Sequence, residues 1–465
     1  MISPQEAHCE DIKSTLQDWG LYAGDGETGE TWRIAPEPFR LDPGQARFFE
    51  TLGGLLLSWM RALNRLYFES LKGRAPAWVA DYLDLGKPSD LLDLARMNRF
   101  KSHLPGILRP DVLLTEDGYA ITELDSVPGG FGRTAGLMTL YAGEGRRLAG
   151  EEHGGIDGLF YQMLESTAGR PGCKVALVVS DEAADYLPEM RYLGERLRAA
   201  GRPVYVRRPE EVGFHETGLW VEDGGRETAV DVVYRFYELF DLKNIPKAEL
   251  IAYAMKKGRV RVTPPYKPQL EEKLGFALLH HPGLAAWWEK ALGLETFERL
   301  IHLIPRTWIL DPRPLPPQAV IPGLQVAGRC VSAWRELFGL SQKERERVIK
   351  TSGFSPRAWG SRGVVIGHDV SAEDWQTALE QRLAAFSREP SVLQDFHKAK
   401  RVQVTYWDEA KQSLKPLTGR ARLTPYYFVI GEEARLGGIL ATVCPQDKKK
   451  IHGMVDAVMT PCALP

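Results

Sequence analysis

Residues 350–367 read KTSGFSPRAWGSRGVVIG. An apolar run ends at Lys350 and another begins at Val364, so the pattern predicts two strands joined by a long loop containing Gly353, Gly360 and Gly363. Glycines there let backbone N–H groups approach phosphate oxygens, and a lysine at the strand end adds a point charge. The segment taken alone also describes an ordinary hairpin with a long loop. It is neither a Walker A loop, which needs G-x-x-x-x-G-K-[ST], nor a dinucleotide fingerprint.

Downstream, SAEDWQTALEQRLAAF is a helix that Ser371 can cap, with acids in its first turn. SVLQDF (391–396) is a strand running into polar and basic residues, where an adenine base could bond to backbone groups or where a strand simply ends. TPYYFVI and LGGILATV read as a closing pair.

Upstream, RPDVLLTEDGYAITELDSVPGGFG (109–132) reads as strand, turn at Glu116–Gly118, strand and glycine-rich loop. Glu123 and Asp125 alternate along the second strand, so their carboxylates share a face. They repel unless a cation neutralises them, and hard oxygen ligands suit Mg²⁺; a solvated strand edge is the plain alternative. Arg109 heads the first strand near the same end of the hairpin and could hold a substrate carboxylate bidentately, or be a surface charge.

The first hundred residues read mainly as helices, as in FFETLGGLLLSWMRALNRLYFESL (48–71), with apolar positions at three and four. CKVALVVSD, the helix EMRYLGERLRAAG and PVYVRR form a βαβ unit that DVVYRFYEL would extend. Arg235 and Tyr237 face one way at the end of that last strand. Helices and proline-rich loops return from Thr263, and Lys273 lies in QLEEKLGFALL, where a solvated lysine is the default. Lys448–Lys450 read as a solvated turn ahead of Gly453, and His280, His281 and His452 lack metal-ligand spacing. No Ser-His-Asp elbow or cysteine–histidine pair stands out.

The chain has 465 residues, with Lys+Arg 59 against Asp+Glu 61 and a net charge of -2. That length suits two or three lobes, and the balance supplies no field to gather nucleic acid or anionic membrane. No stretch approaches the ~18 apolar residues of a membrane helix, and MISPQEAHCEDIK lacks the basic and apolar parts of a signal peptide. Five dispersed cysteines suggest reduced thiols, so the expected location is cytoplasmic.

Carboxylate hairpin, then inserted α/β domain, then lysine with glycine-rich loop: this order resembles the circularly permuted ATP-grasp proteins. Among them are the eukaryotic-type glutathione synthetases and glutathionylspermidine synthetase-like proteins, including uncharacterised bacterial ones. The resemblance covers about three quarters of the chain and rests on residues 109–132, 232–274 and 348–443. It implies an α+β fold: an ATP-grasp body with an inserted parallel-sheet substrate domain. The expected divisions are 1–170, 171–262 and 263–465, with a glycine-rich lid at about 340–392.

By the same resemblance, Glu123 and Asp125 stand where the family has an E-x-N pair on magnesium. Arg109 matches an arginine that meets the acid substrate, and Arg362 in the lid loop joins it as a catalytic candidate. Lys273 and Lys350 match two ATP-phosphate lysines. Gly360 and Gly363 fall in the phosphate-covering loop, and Gln394, Asp395 and Phe396 in the adenine hinge. Arg235 and Tyr237 match a substrate-contacting pair loosely. Asp125 replaces the family's asparagine, and the loop after Lys350 has no carboxylate before Asp369. The implied activity is an ATP- and Mg²⁺-dependent ligase joining a small carboxylate to an amine through an acyl phosphate. The alternatives are an inactive nucleotide-binding regulator and a phosphotransferase. No nucleic-acid or membrane partner is expected, and a homodimer is the assembly to test.

Overall fold

Strands Ile107–Thr115 and Gly118–Asp125 pair antiparallel across a two-residue turn. The computed structural model describes residues 3–22, 31–143, 145–358, 360, 362–448, 451 and 455–465. Gly118 sits where φ is +136°, a conformation costly to any residue with a Cβ.

This hairpin is one edge of an eight-stranded central sheet. Beside it runs Ser413–Ile430, then Glu433–Pro445, the closing pair read from the sequence. Next comes Val455–Ala463, whose outer side pairs in parallel with Thr31–Ile34 and Phe39–Arg40. These strands interrupt the mainly helical reading of the first hundred residues. Arg401–Asp408 pairs with the far half of Ser413–Ile430.

Helix Pro43–Leu71 packs on this sheet. Asp42 caps it, accepting from Gln45 N at 2.8 Å, and Pro43 fills the first helical position. Its face of Phe49, Leu52, Leu56, Leu63 and Leu66 is buried in the main core. At Gly53 a Cβ would stand 2.8 Å from the Ala434 carbonyl oxygen, so helix and sheet approach only because none is present.

A second sheet is wholly parallel, in the order Arg261–Thr263, Val232–Phe236, Val175–Val179, Val204–Arg207. Its two inner strands are completely buried, which is why they read as unbroken apolar runs. Between its strands the chain adds a small antiparallel sheet, Gly213–Ala229, that the sequence reading did not place.

The third sheet is antiparallel: Thr307–Ile309, Ser391–Asp395, Arg347–Thr351, Val364–Ile366. Trp308, Ile349 and Leu393 pack on Trp375 and Leu379 of helix Ala372–Ala384, which Ser371 caps. Alternation sends Lys350 and Gln394 to the opposite face, toward the carboxylate hairpin. The result is a mixed α/β fold of several sheets. Among the described residues, no helix is long and apolar enough to cross a membrane.

Candidate functional site

One face of the central sheet forms the floor of a cleft of about 220 Å³. Strand register sets Arg109 opposite Asp125, Asp111 opposite Glu123, and Arg422 opposite Thr442. Residues paired across antiparallel strands share a face, so all six line the cleft. The inserted parallel sheet supplies another wall through Ser180, Tyr186 and Glu238, and Gly360 reaches in from the long loop. A recess of about 50 Å³ adjoins it, bounded by Glu123, Asp125, Glu238, Glu271, Glu272 and Lys273.

Asp111 organises the floor. It is buried and accepts from Arg109 Nη1 at 2.7 Å and Arg422 Nη1 at 2.9 Å. Burial alone would raise its carboxyl, but Arg422 and Arg109 outweigh it and hold the group below the usual range. Arg109 also reaches Asp125 Oδ2 at 2.5 Å, while Asp125 Oδ1 accepts from Val127 N at 2.8 Å.

Two ammonium groups arrive from different elements. Lys273, at the N-terminal end of helix Leu274–His280, lies 2.8 Å from Glu123 Oε1 and donates to the Ala358 carbonyl at 2.9 Å. Burial works to raise Glu123, yet Lys273 foremost holds it below the usual carboxylate range. Lys350 donates to the Thr122 carbonyl at 2.7 Å and Gln394 Oε1 at 2.8 Å. Burial pushes Lys350 down to about 8, Lys273 adding to the effect against the pull of Glu123. Glu238 is pushed up to about 8 by burial, then by Glu271 and Asp125. The recess thus concentrates carboxylates beside a single lysine.

Arg109, Glu123, Asp125 and Gly360 therefore meet around one cleft, with Lys273 in the adjoining recess; Lys350 lines neither and is buried against Thr122 and Gln394 on the hairpin side. Arg362 lies outside it, half-exposed, with Nη1 3.3 Å from Glu182 Oε1 on the inserted unit. Gly363 sits at the loop base, where a Cβ would come within 2.5 Å of the Arg357 carbonyl oxygen. Trp359, Ser361, Lys449, Lys450, His452 and Gly453 are outside the described residues.

Two expected groups of site residues make other contacts. Strand Ser391–Asp395 is interior, so the N–H groups of Asp395 and Phe396 are spent on the carbonyls of Arg306 (2.8 Å) and Glu346 (3.2 Å). In this arrangement both N–H groups are engaged within the protein. Asp395 instead pairs with Arg347 at 2.9 Å, and Phe396 meets the His368 ring edge-on. Arg235 is fully buried and touches no open space. Its guanidinium bonds the carbonyls of Tyr237 and Pro264 and the Glu271 carboxylate, fastening the inserted sheet to the segment that carries Lys273. Tyr237 edges the cleft, but its hydroxyl is held by Tyr266 at 2.6 Å.

The sequence reading missed Asp111, Arg422, Glu238, Glu271 and Glu272. Asp111 shares a face with Arg109 two residues away, a signal that was present. Glu271 and Glu272 precede Lys273 directly. Glu272 pairs with buried Lys87 at 2.5 Å and accepts from Gly353 N at 3.2 Å and from Ser352 Oγ.

No protein-family model and no curated protein matches the chain by sequence. By fold it is similar to a glutathione synthetase-like effector (GSS30) from Globodera pallida in its apo form. The TM-score is 0.56 at 12% identity, over 100% of this chain and 98% of that one. A candidate gamma-glutamylcysteine synthetase from Methylobacillus flagellatus gives a TM-score of 0.39 at 13% identity, over 89% of this chain and 88% of that one. The first likeness shows a shared glutathione synthetase-like fold; the second is too distant to add to it.

Proposed function

We propose that this protein is an ATP-dependent carboxylate–amine ligase on a circularly permuted ATP-grasp body. One observation carries the proposal: Lys273 and Lys350, from separate elements, converge on the carboxylate hairpin beneath a glycine-bearing loop. Polyphosphate transfer calls for that pairing of fixed cations with metal-binding oxygens.

The donor set fits Mg²⁺, since the recess offers hard carboxylate oxygens in excess of ammonium groups. Glu123 and Asp125 would hold the ion, with Asp125 providing oxygen as asparagine would. Glu238 and Glu271 bring oxygens from the opposite wall, although the loop itself has none. Bound there, the ion would neutralise charge on the phosphate oxygens.

The reaction is carboxylate activation. A substrate carboxylate oxygen takes the terminal phosphoryl group of ATP, and ADP leaves. The amine nitrogen then attacks the acyl carbon, phosphate departs, and the nitrogen loses a proton. Arg109 orients the acid, while Lys273 and Lys350 offset negative charge on the transferred group. The loop around Gly360 excludes water from the acyl phosphate.

Phosphate release from Mg·ATP, with pooled acids and amines, tests the proposal. Release should require both an acid and an amine. Lys350→Ala should weaken nucleotide binding about tenfold, the loss of one charged contact. Glu123→Gln and Asp125→Ala should lower magnesium-dependent turnover roughly a hundredfold with little change in nucleotide affinity. Dependence on one acceptor would indicate a phosphotransferase, and tight ATP binding without turnover a non-catalytic binder.

A further inference from the structure

Arg422 is held by one end only. Its Nη1 donates to Asp111 Oδ2 at 2.9 Å, and Nε is buried with no partner among the described residues. Nη1 does not belong to the Nε–Nη2 edge, which is the fork that grips a carboxylate side-on. Directly opposite on the neighbouring strand is Thr442, whose fully buried Oγ1 also has no partner. Both residues line the cleft. A buried donor left unpaired costs stability unless something supplies the acceptor. Two such atoms, on register-paired positions of a sheet face that lines the cleft, describe a place built for an oxyanion. Asp111 fixes the guanidinium through its buried contact, and Thr424 Oγ1 lies 3.5 Å from the same carboxylate. Arg109, gripped by Asp111 and Asp125, stands at the other side of Asp111.

We infer that Arg422 and Thr442 bind a second, non-reacting carboxylate of the acid substrate, so that the enzyme selects dicarboxylic acids. This rests on the ligase proposal, which supplies the acid whose other carboxylate reacts beside Arg109. Arg422 is then a specificity residue: it discriminates between acids and takes no part in phosphoryl transfer. A site that pairs a buried guanidinium and hydroxyl with substrate rejects analogues lacking the matching group, because both are again left unsatisfied.

The test is calorimetric binding to the full-length protein with and without Mg²⁺ and a non-hydrolysable ATP analogue. The probes are malonate, succinate, glutarate and adipate, each set against the monocarboxylate of equal chain length. At least one dicarboxylate should bind about tenfold tighter than its matched monoacid, the worth of one charged contact. Arg422→Gln should abolish that preference. Thr442→Val keeps the Arg422–Asp111 contact and should weaken only the dicarboxylate, by about threefold. It also decides the matter if Arg422→Gln fails to fold. Equal affinities for every matched pair in the wild type overturn the inference, as does a preference that survives both variants. If the analogue does not bind but the dicarboxylate preference is present and lost in the variants, the subsite stands and the ATP-dependent reaction falls.

Discussion

Lys267 is 1% exposed, and among the described residues its ammonium has only neutral partners: Asn64 Oδ1 at 2.9 Å and the Lys101 carbonyl at 2.8 Å. Burial pushes it down to about 7, against a free lysine near 10.4. Nearby His103, lowered by burial and then by Lys267 and Arg261, is neutral above that pH. Between about 7 and 10 the unfolded chain binds the proton that the folded one has released, so stability from this site rises with pH; below about 7 it is flat. Lys267→Met removes that dependence. Its stability relative to wild type should fall as pH rises through the window, by up to roughly 1 kcal/mol per unit, in urea denaturation at pH 6 to 10. An unchanging difference would show that Lys267 titrates normally. Nothing in PPYKPQ distinguishes this lysine from a solvated one, because what buries it comes from helix Pro43–Leu71 and the turn at Lys101. Local period did expose Glu123, Asp125 and Arg109. Glu238 and Glu271 stayed hidden because only folding brings their segments together.

The long loop after Lys350 stands on a strut. At Gly353 a Cβ would lie 1.5 Å from the Glu271 carbonyl oxygen, whereas at Gly360 its nearest neighbour is 3.8 Å away, on the Arg362 side chain. Gly360 has φ +62°, so its own constraint is backbone strain rather than space. Gly353→Ala must push the loop base off Glu271 and Glu272, and should cost about 2 kcal/mol along with most nucleotide-dependent turnover. Gly360→Ala should cost about 1 kcal/mol, the left-handed penalty. Thermal unfolding with a turnover assay checks both, and equal losses would remove the strut from the account. The strands flanking this loop were legible because β-branched residues bound it on either side. The hairpin, the buried parallel strands and the closing pair were legible for similar reasons. Strand Arg401–Asp408 carries a period-two pattern in RVQVTYWD that could have been read. Thr31–Ile34 could not, since its partner is Val455–Ala463, at the far end of the chain.

At the scale of the molecule, the inserted parallel-sheet unit must be held rigidly against the central sheet, since the cleft has a wall from each. Glu189, at the start of helix Leu187–Ala199, provides that junction. It is 3% exposed and accepts from Gly130 N at 2.7 Å and Arg133 N at 2.9 Å, donors of the first turn of helix Phe131–Tyr141. A carboxylate there satisfies orphan N–H groups and complements the positive end of the helix. The anion site at the glycine loop is therefore filled by the protein's own side chain, which leaves substrate anions to the arginines of the floor. Close packing reinforces the joint, because a Cβ on Gly132 would lie 2.4 Å from the Glu189 carbonyl oxygen. Glu189→Ala strands two buried donors and should cost about 3 kcal/mol, as expected for two charge-assisted bonds. Glu189→Gln keeps one carbonyl acceptor and should cost about half of that. Because Leu177 and Tyr234 of the parallel sheet share one buried core with Tyr426 and Phe428 of the central sheet, the loss should lower a single calorimetric unfolding transition without dividing it. Two separate transitions would mean that Glu189, rather than the shared core, couples the units.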